Sequence, residues 1–204
     1  AVERLGYMPI YEKENAFTYL NEYEQVAIID SDIYIRQQAP NIFWDLTDEY
    51  AFGAVAEREL PCAKKYKSKI RKYSKAAFEN LKDVDWKWNE LGAEFYNMGM
   101  MVINSKKFLP YLKGQTAEQF IRRPEFKDFV DGIGYRKWST DQMLLNYWVK
   151  KEKIPTLNMD WRWNGLFKGI DDKQIPNAHF IHFFLKDLLP QKGENVQDLM
   201  SVIN

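Results

Sequence analysis

The stretch QVAIIDSDIYIR, residues 25–36, carries a run of Val26, Ala27, Ile28 and Ile29 that ends on two carboxylates, Asp30 and Asp32, one residue apart. A short apolar run rich in β-branched side chains predicts a buried strand. Carboxylates are poor strand formers and costly beside a core, so a pair at the strand's exit calls for solvent or a cation. In α/β sheets ligands bind at the carboxyl ends of strands, where the chain leaves the core. Hard divalent cations such as Mn²⁺ or Mg²⁺ take oxygen ligands and share them with substrate phosphates, a role that two short carboxylates on such a loop can fill. An EF-hand is excluded, because no glycine stands at the sixth loop position and the strand-like IYIRQQ follows.

Two more apolar runs, YAFGAVAE at 50–57 and NMGMMVIN at 97–104, predict further buried strands of the parallel kind. Between them the spacing turns helical. Residues 12–22 place Ala16, Leu20 and Tyr23 on one face, and residues 64–81 do the same with Tyr66, Ile70, Tyr73, Ala77 and Leu81. TDQMLLNYWVKK predicts a third helix, with Thr140 or Ser139 as its N-cap and lysines at its end. Alternating strands and helices predict an α/β fold with a mixed, mostly parallel central sheet. At 204 residues and 46% hydrophobic content, one domain over 1–204 is expected.

Lys plus Arg and Asp plus Glu both number 29, so no global field draws the chain to nucleic acid, and none is expected as a partner. The one strongly one-signed stretch is PCAKKYKSKIRKYSK. Its bland reading is a solvated helix face; the alternative is peripheral contact of residues 64–75 with anionic lipid headgroups or an acidic partner. A single cysteine, Cys62, rules out an internal disulfide, and no Asn-x-Ser/Thr acceptor occurs. A cytoplasmic setting is expected, peripheral at a membrane if 64–75 engages one. Neither a spanning segment nor a signal peptide is read in the chain, which starts at Ala1. Aromatic content reaches 16%, which suits a core and also suits surfaces that stack on sugars.

The two histidines, His179 and His182, lie in NAHFIHFFLK, an aromatic and apolar setting in which a histidine is more often a satisfied core residue than a ligand. Taken in order, however, YEKENAFTYLNEYEQVAIIDSDIYI, AFGAVAE, FYNMGMMVINSKKF, STDQMLLNYW, LNMDWRWN and AHFIHF form a recognisable set between Tyr11 and Lys186. The sequence resembles the GT-A glycosyltransferases, and most of all glycosyltransferase family 8, the retaining group that includes glycogenin and the bacterial lipopolysaccharide galactosyltransferases.

That resemblance implies a UDP-sugar donor, a divalent ion (Mn²⁺ or Mg²⁺), and transfer of a hexose, glucose or galactose, to a carbohydrate or other hydroxyl acceptor with retention. It makes Asp30 and Asp32 the DxD pair that chelates the metal, and His182 the histidine that completes the metal shell. Lys13 stands where relatives contact the nucleotide. Asn97 and the Asp141–Gln142 pair look like the residues that hold the transferred sugar, with Asp141 or Gln142 near the anomeric carbon. Trp161, Trp163 and Asn164 read either as core and cap or as a wall on the acceptor side, with the wall slightly favoured. The chemistry agrees: a cation stabilises charge developing on the leaving diphosphate, and a carboxylate or amide oxygen suits the oxocarbenium-like sugar.

Two departures stand beside the match. His182 is followed by FFLKDLLP rather than by a Gly and a more distant Lys, which leaves His179 as a rival ligand and Lys186 as a doubtful phosphate contact. Only twelve residues precede Lys13, too few for the first βαβ unit of about 30 residues, so the given chain is expected to lack that unit. The rival readings are a sugar-1-phosphate nucleotidyltransferase, whose Gly-rich basic loop is not found here, and a non-catalytic carbohydrate-binding domain.

Overall fold

The computed structural model describes residues 9–133 and 140–203, whose strands form two sheets. One sheet joins β1 (Gln25–Ile29), β3 (Phe52–Ala56), β4 (Tyr96–Asn104) and β5 (Thr156–Asn158) in the order β1-β4-β3-β5. The other joins β2 (Ile33–Ile35), β6 (Gly165–Leu166) and β7 (Phe180–His182) in the order β2-β7-β6. The helices are α1 (Lys64–Phe78), α2 (Ser105–Leu112), α3 (Ala117–Ile121), α4 (Lys127–Val130), α5 (Asp141–Lys151) and α6 (Val196–Ser201).

The three strands read from apolar runs are all present, and the sheet is mixed as expected. Its parallel share is smaller than the runs suggest: β4 pairs antiparallel with both β1 and β3, and only β3–β5 is parallel in this sheet. The reason is burial. Every residue of β3 and β4 is buried, and a strand covered on both faces reads as an unbroken apolar run whichever way its neighbours point.

The segment ahead of β1 is helical, but it winds as a 3₁₀-helix over Pro9–Asn21. Three residues per turn put Tyr11, Glu14, Phe17 and Leu20 in one buried row. Tyr23, expected on the inner face, lies beyond the helix and is exposed. In α1 the predicted Tyr66, Ile70 and Ala77 are buried, with Leu81 buried just past its end. Helix α5 begins after Thr140, whose side chain makes no capping bond, and Ser139 lies outside the described residues. Helix α3 carries a capping box between Thr116 and Gln119 that the periodicity reading passed over. The core is rich in aromatic side chains: Trp148, for example, packs edge-to-face with Phe108 and Phe120 at 5.3 and 4.6 Å.

Candidate functional site

The register of the two sheets brings the acids and the histidine together. Strand β1 runs antiparallel to β4 so that Ile29 faces Met100, and the next amide, Asp30, donates to the Gly99 carbonyl at 2.7 Å. After a turn, β2 pairs with β7 so that Ile33 faces His182, and the Phe183 amide donates to the Asp32 carbonyl at 2.9 Å. Two ladders entering from opposite sides therefore set Asp30, Asp32 and His182 around one point. One ligand atom from each lies within 4.8 Å of the others. His182 Nε2 is 3.3 Å from Asp32 and 4.0 Å from Asp30. The acids are about 30% exposed to the cleft while the histidine side chain is only 6% exposed. The hydrogen bond from His182 holds the Asp32 carboxyl below the usual range, against the opposing effect of burial.

A chain of amides fixes the ring. Asn97 Nδ2 donates to Glu57 Oε1 at 2.8 Å, which turns Asn97 Oδ1 toward Asn164 and the Gly99 amide. Asn164 Nδ2 donates to Asn97 Oδ1 at 2.8 Å, which leaves Asn164 Oδ1 facing His182 Nδ1 at 3.0 Å. Because that oxygen can only accept, Nδ1 carries a proton; Nε2 donates to Asp32 when the ring is charged and presents its lone pair to the two acids when it is neutral.

Lys13 reaches into the site from the 3₁₀-helix. Its Nζ lies 2.6 Å from Asp30, 2.8 Å from Asp141 and 3.0 Å from the Met98 carbonyl. Burial alone would lower its pKa, but the two carboxylates outweigh burial and raise it. Asp141, at the start of α5, has its pKa raised by burial despite Lys13. Beside it, Gln142 Oε1 accepts from the Met98 amide at 3.1 Å and its Nε2 points at the Tyr73 hydroxyl at 3.4 Å. One helix over, Glu14 is buried with neither carboxylate oxygen hydrogen-bonded, and burial, then Asp141, drives its carboxyl well above the usual range.

Lys13, Asp30, Asp32, Asn97, Asp141, Gln142 and His182 thus line a single cleft of about 520 Å³. Two expected residues do not. Trp163 is 2% exposed and packs in the core against Phe180 and His179, its indole N–H directed at Asp45. Asn164 is fully buried behind His182. His179, the rival ligand, lies 4.8 Å from Trp163, outside the cleft. Sequence reasoning passed over Glu57, which lies in the cleft wall with its carboxyl raised by burial against the pull of Asn97 and Tyr66. The signal was there: Glu57 ends the apolar run of β3 as Asp30 ends that of β1.

The family model for glycosyl transferase family 8 matches residues 3–186. The chain belongs to glycosyltransferase family 8. No curated protein matches it. The bifunctional glycosyltransferase WbbM, 15% identical, is similar with a TM-score of 0.51 over 95% of this chain and 35% of its own. Mouse xyloside xylosyltransferase 1 has 14% identity and a TM-score of 0.49 over 89% of this chain and 65% of its own. Galactosyltransferase LgtC, in complex with donor and acceptor sugar analogues, has 16% identity and a TM-score of 0.48 over 95% and 65%. The chain spans between about one third and two thirds of these solved proteins. At such identities the likeness concerns the fold, which is the expected GT-A type. In this family 8 chain the segments that carried the resemblance converge on the cleft: AFGAVAE ends at Glu57, YNMG supplies Asn97 to Gly99, TDQ opens α5, and WRWN places Asn164 behind the histidine.

Proposed function

We propose that the protein is a metal-dependent glycosyltransferase that moves a hexose, glucose or galactose, from a UDP-sugar to a carbohydrate or other hydroxyl acceptor with retention of configuration. The observation that carries this reading is the convergence of Asp30, Asp32 and His182 on one point of the cleft. Two carboxylate oxygens and a pre-oriented imidazole nitrogen fit a hard-to-borderline ion such as Mn²⁺ or Mg²⁺, and the held Nδ1–H is the support that a ligating histidine needs. When bound, such an ion supplies Lewis-acid neutralisation of charge on the leaving diphosphate.

The remaining roles belong to the chain's own groups. Lys13 braces Asp30 and adds a positive charge at the same wall. Asp141 and Gln142 present oxygens for the side of the sugar that becomes electron-poor, and Asn97, with Glu57, orders that wall. A stacking, non-catalytic sugar module is the weaker reading, because ionisable groups, Lys13, Asp30, Asp32, Asp141 and His182, converge in the cleft and among the described residues no tryptophan lines it. The test is a panel of nucleotide sugars with Mn²⁺ present or chelated, followed by release of the nucleoside diphosphate. Release from UDP-glucose or UDP-galactose only with metal is expected; glycan binding with no metal-dependent release would favour the module.

A further inference from the structure

The outward face of α1 is a basic surface with almost no ion pairing among the described residues. Between Lys64 and Lys75 the helix carries seven basic residues, all exposed, and no acidic one. Only Lys75 is paired, with Glu79 at 3.8 Å; among the described residues the other six make no ion pair. At about 100° per residue they fan across the whole solvent arc of the helix. Bulky apolar side chains stand at both edges of this field. Trp88, 48% exposed, shares a hollow with Arg71, Lys75 and Lys82, and Leu188, 50% exposed, shares another with Lys69 and Lys186. Nucleic acid or an acidic protein would need only the charge, whereas lysines flanked by Trp and Leu suit a bilayer interface. Because the chain is neutral overall, its remainder is net acidic, so an anionic plane both attracts and orients it. No described helix is long and apolar enough to cross a membrane.

We propose that this face docks on a bilayer rich in anionic headgroups. Lys69 and Tyr73 of the same helix line the cleft, so docking brings the cleft toward that plane, within reach of an acceptor anchored there. That last step rests on the proposed transfer; the docking does not. The test is co-sedimentation with phosphatidylcholine vesicles with and without phosphatidylglycerol. Binding is expected only to the anionic vesicles, is lost at high salt, and is accompanied by a blue shift in tryptophan emission that Trp88→Phe removes. Each lysine near the surface is worth about fivefold in partition, so Lys64→Gln, Lys65→Gln, Lys72→Gln and Lys75→Gln together should cost on the order of several hundredfold. Equal binding to neutral vesicles, no binding to either, undiminished binding by the quadruple variant, or capture of a DNA duplex but not of vesicles would overturn the proposal.

The amide chain behind His182 carries a second, independent inference. The geometry points to Glu57 as a positioning residue: through Asn97 and Asn164 it sets which nitrogen of His182 bears the proton. Without an acceptor at position 57, the Asn97 NH₂ loses its partner and only the Gly99 amide still holds Asn97 Oδ1 toward Asn164, so the two amides turn over more readily. The bearing on metal affinity rests on the proposed function, but the tautomer does not. With only two histidines in the chain, ¹⁵N-histidine labelling of the metal-free protein at a pH where the rings are neutral reads it directly. Glu57→Gln keeps an acceptor oxygen and should keep Nδ1–H and Mn²⁺ affinity within about threefold; Glu57→Leu should mix the tautomers and cost about 10–100-fold in Mn²⁺ affinity. Asn164→Leu, which removes the last link alone, should do the same. An unchanged tautomer in both leucine variants, or Glu57→Gln behaving like Glu57→Leu, would overturn the relay.

Discussion

Asp32→Ala should lower metal-dependent turnover of the nucleotide sugar by about a thousandfold or more, the scale of a lost cation–phosphate interaction in a sheltered cleft. Of the two acids, Asp32 gives the cleaner experiment. Its carboxylate faces His182 and the cleft, so its removal takes away one ligand and little else. Asp30 also holds Lys13 at 2.6 Å, and Lys13 holds Asp141 at 2.8 Å. Asp30→Ala therefore removes a ligand and also shifts the balance of a half-buried lysine shared between two acids, and should disturb Asp141 as well. The measurement is diphosphate release across a Mn²⁺ titration, with Mn²⁺ affinity read separately by electron paramagnetic resonance. Asp32→Ala should lose both affinity and rate while keeping its melting temperature within a few degrees, since the contact it loses lies at the edge of the cleft. Turnover within tenfold of the parent at saturating Mn²⁺ would remove the metal from the proposed reaction.

What could be read without coordinates, and what could not, follows from the range of each interaction. Strands β1, β3 and β4 were legible because burial on both faces writes itself into consecutive residues. Their directions were not, because pairing depends on how the connections run, which leaves no mark on the apolar pattern. Strands of two or three residues, such as β6 and β7, are too short to show a period, yet the pairing of β7 with β2 puts His182 opposite Ile33. Chemistry alone could not have separated His182 from His179, since both sit among aromatics; the family resemblance favoured the residue that the register brings to the acids. Trp163 was misplaced for a related reason: an indole serves a core or a sugar equally well, and only its neighbours decide. Glu57 was an oversight, because the rule applied to Asp30, an acid closing a buried strand, applies to it unchanged.

Gly99→Ala should be the most damaging single-methyl change in the cleft. A Cβ at this position would lie 2.4 Å from His182 Cε1, 2.8 Å from its Nδ1 and 3.0 Å from Asn97 Oδ1. Atoms do not approach so closely, so something must give. The backbone is poorly placed to yield: Gly99 lies inside β4, between β1 and β3, with its carbonyl held by the Asp30 amide and its own amide held by Asn97. The imidazole is therefore the part that moves, and any rotation away from Gly99 breaks its bond to Asn164 and carries Nε2 off the two acids. Overpacking of this kind costs about 1–3 kcal/mol, which for a chain of this size is a fall in Tm of about 2–12 °C. Loss of the ring's support should add about 10–100-fold in Mn²⁺ affinity. Gly53→Ala is the control within the same sheet: its Cβ would press on the flexible end of Met159 at 3.0 Å, which can swing aside, so a smaller loss of stability and unchanged Mn²⁺ binding are expected. If Gly99→Ala instead melted and bound Mn²⁺ like the parent, His182 would have room it does not have here, and the site would have to be built from the two acids without it.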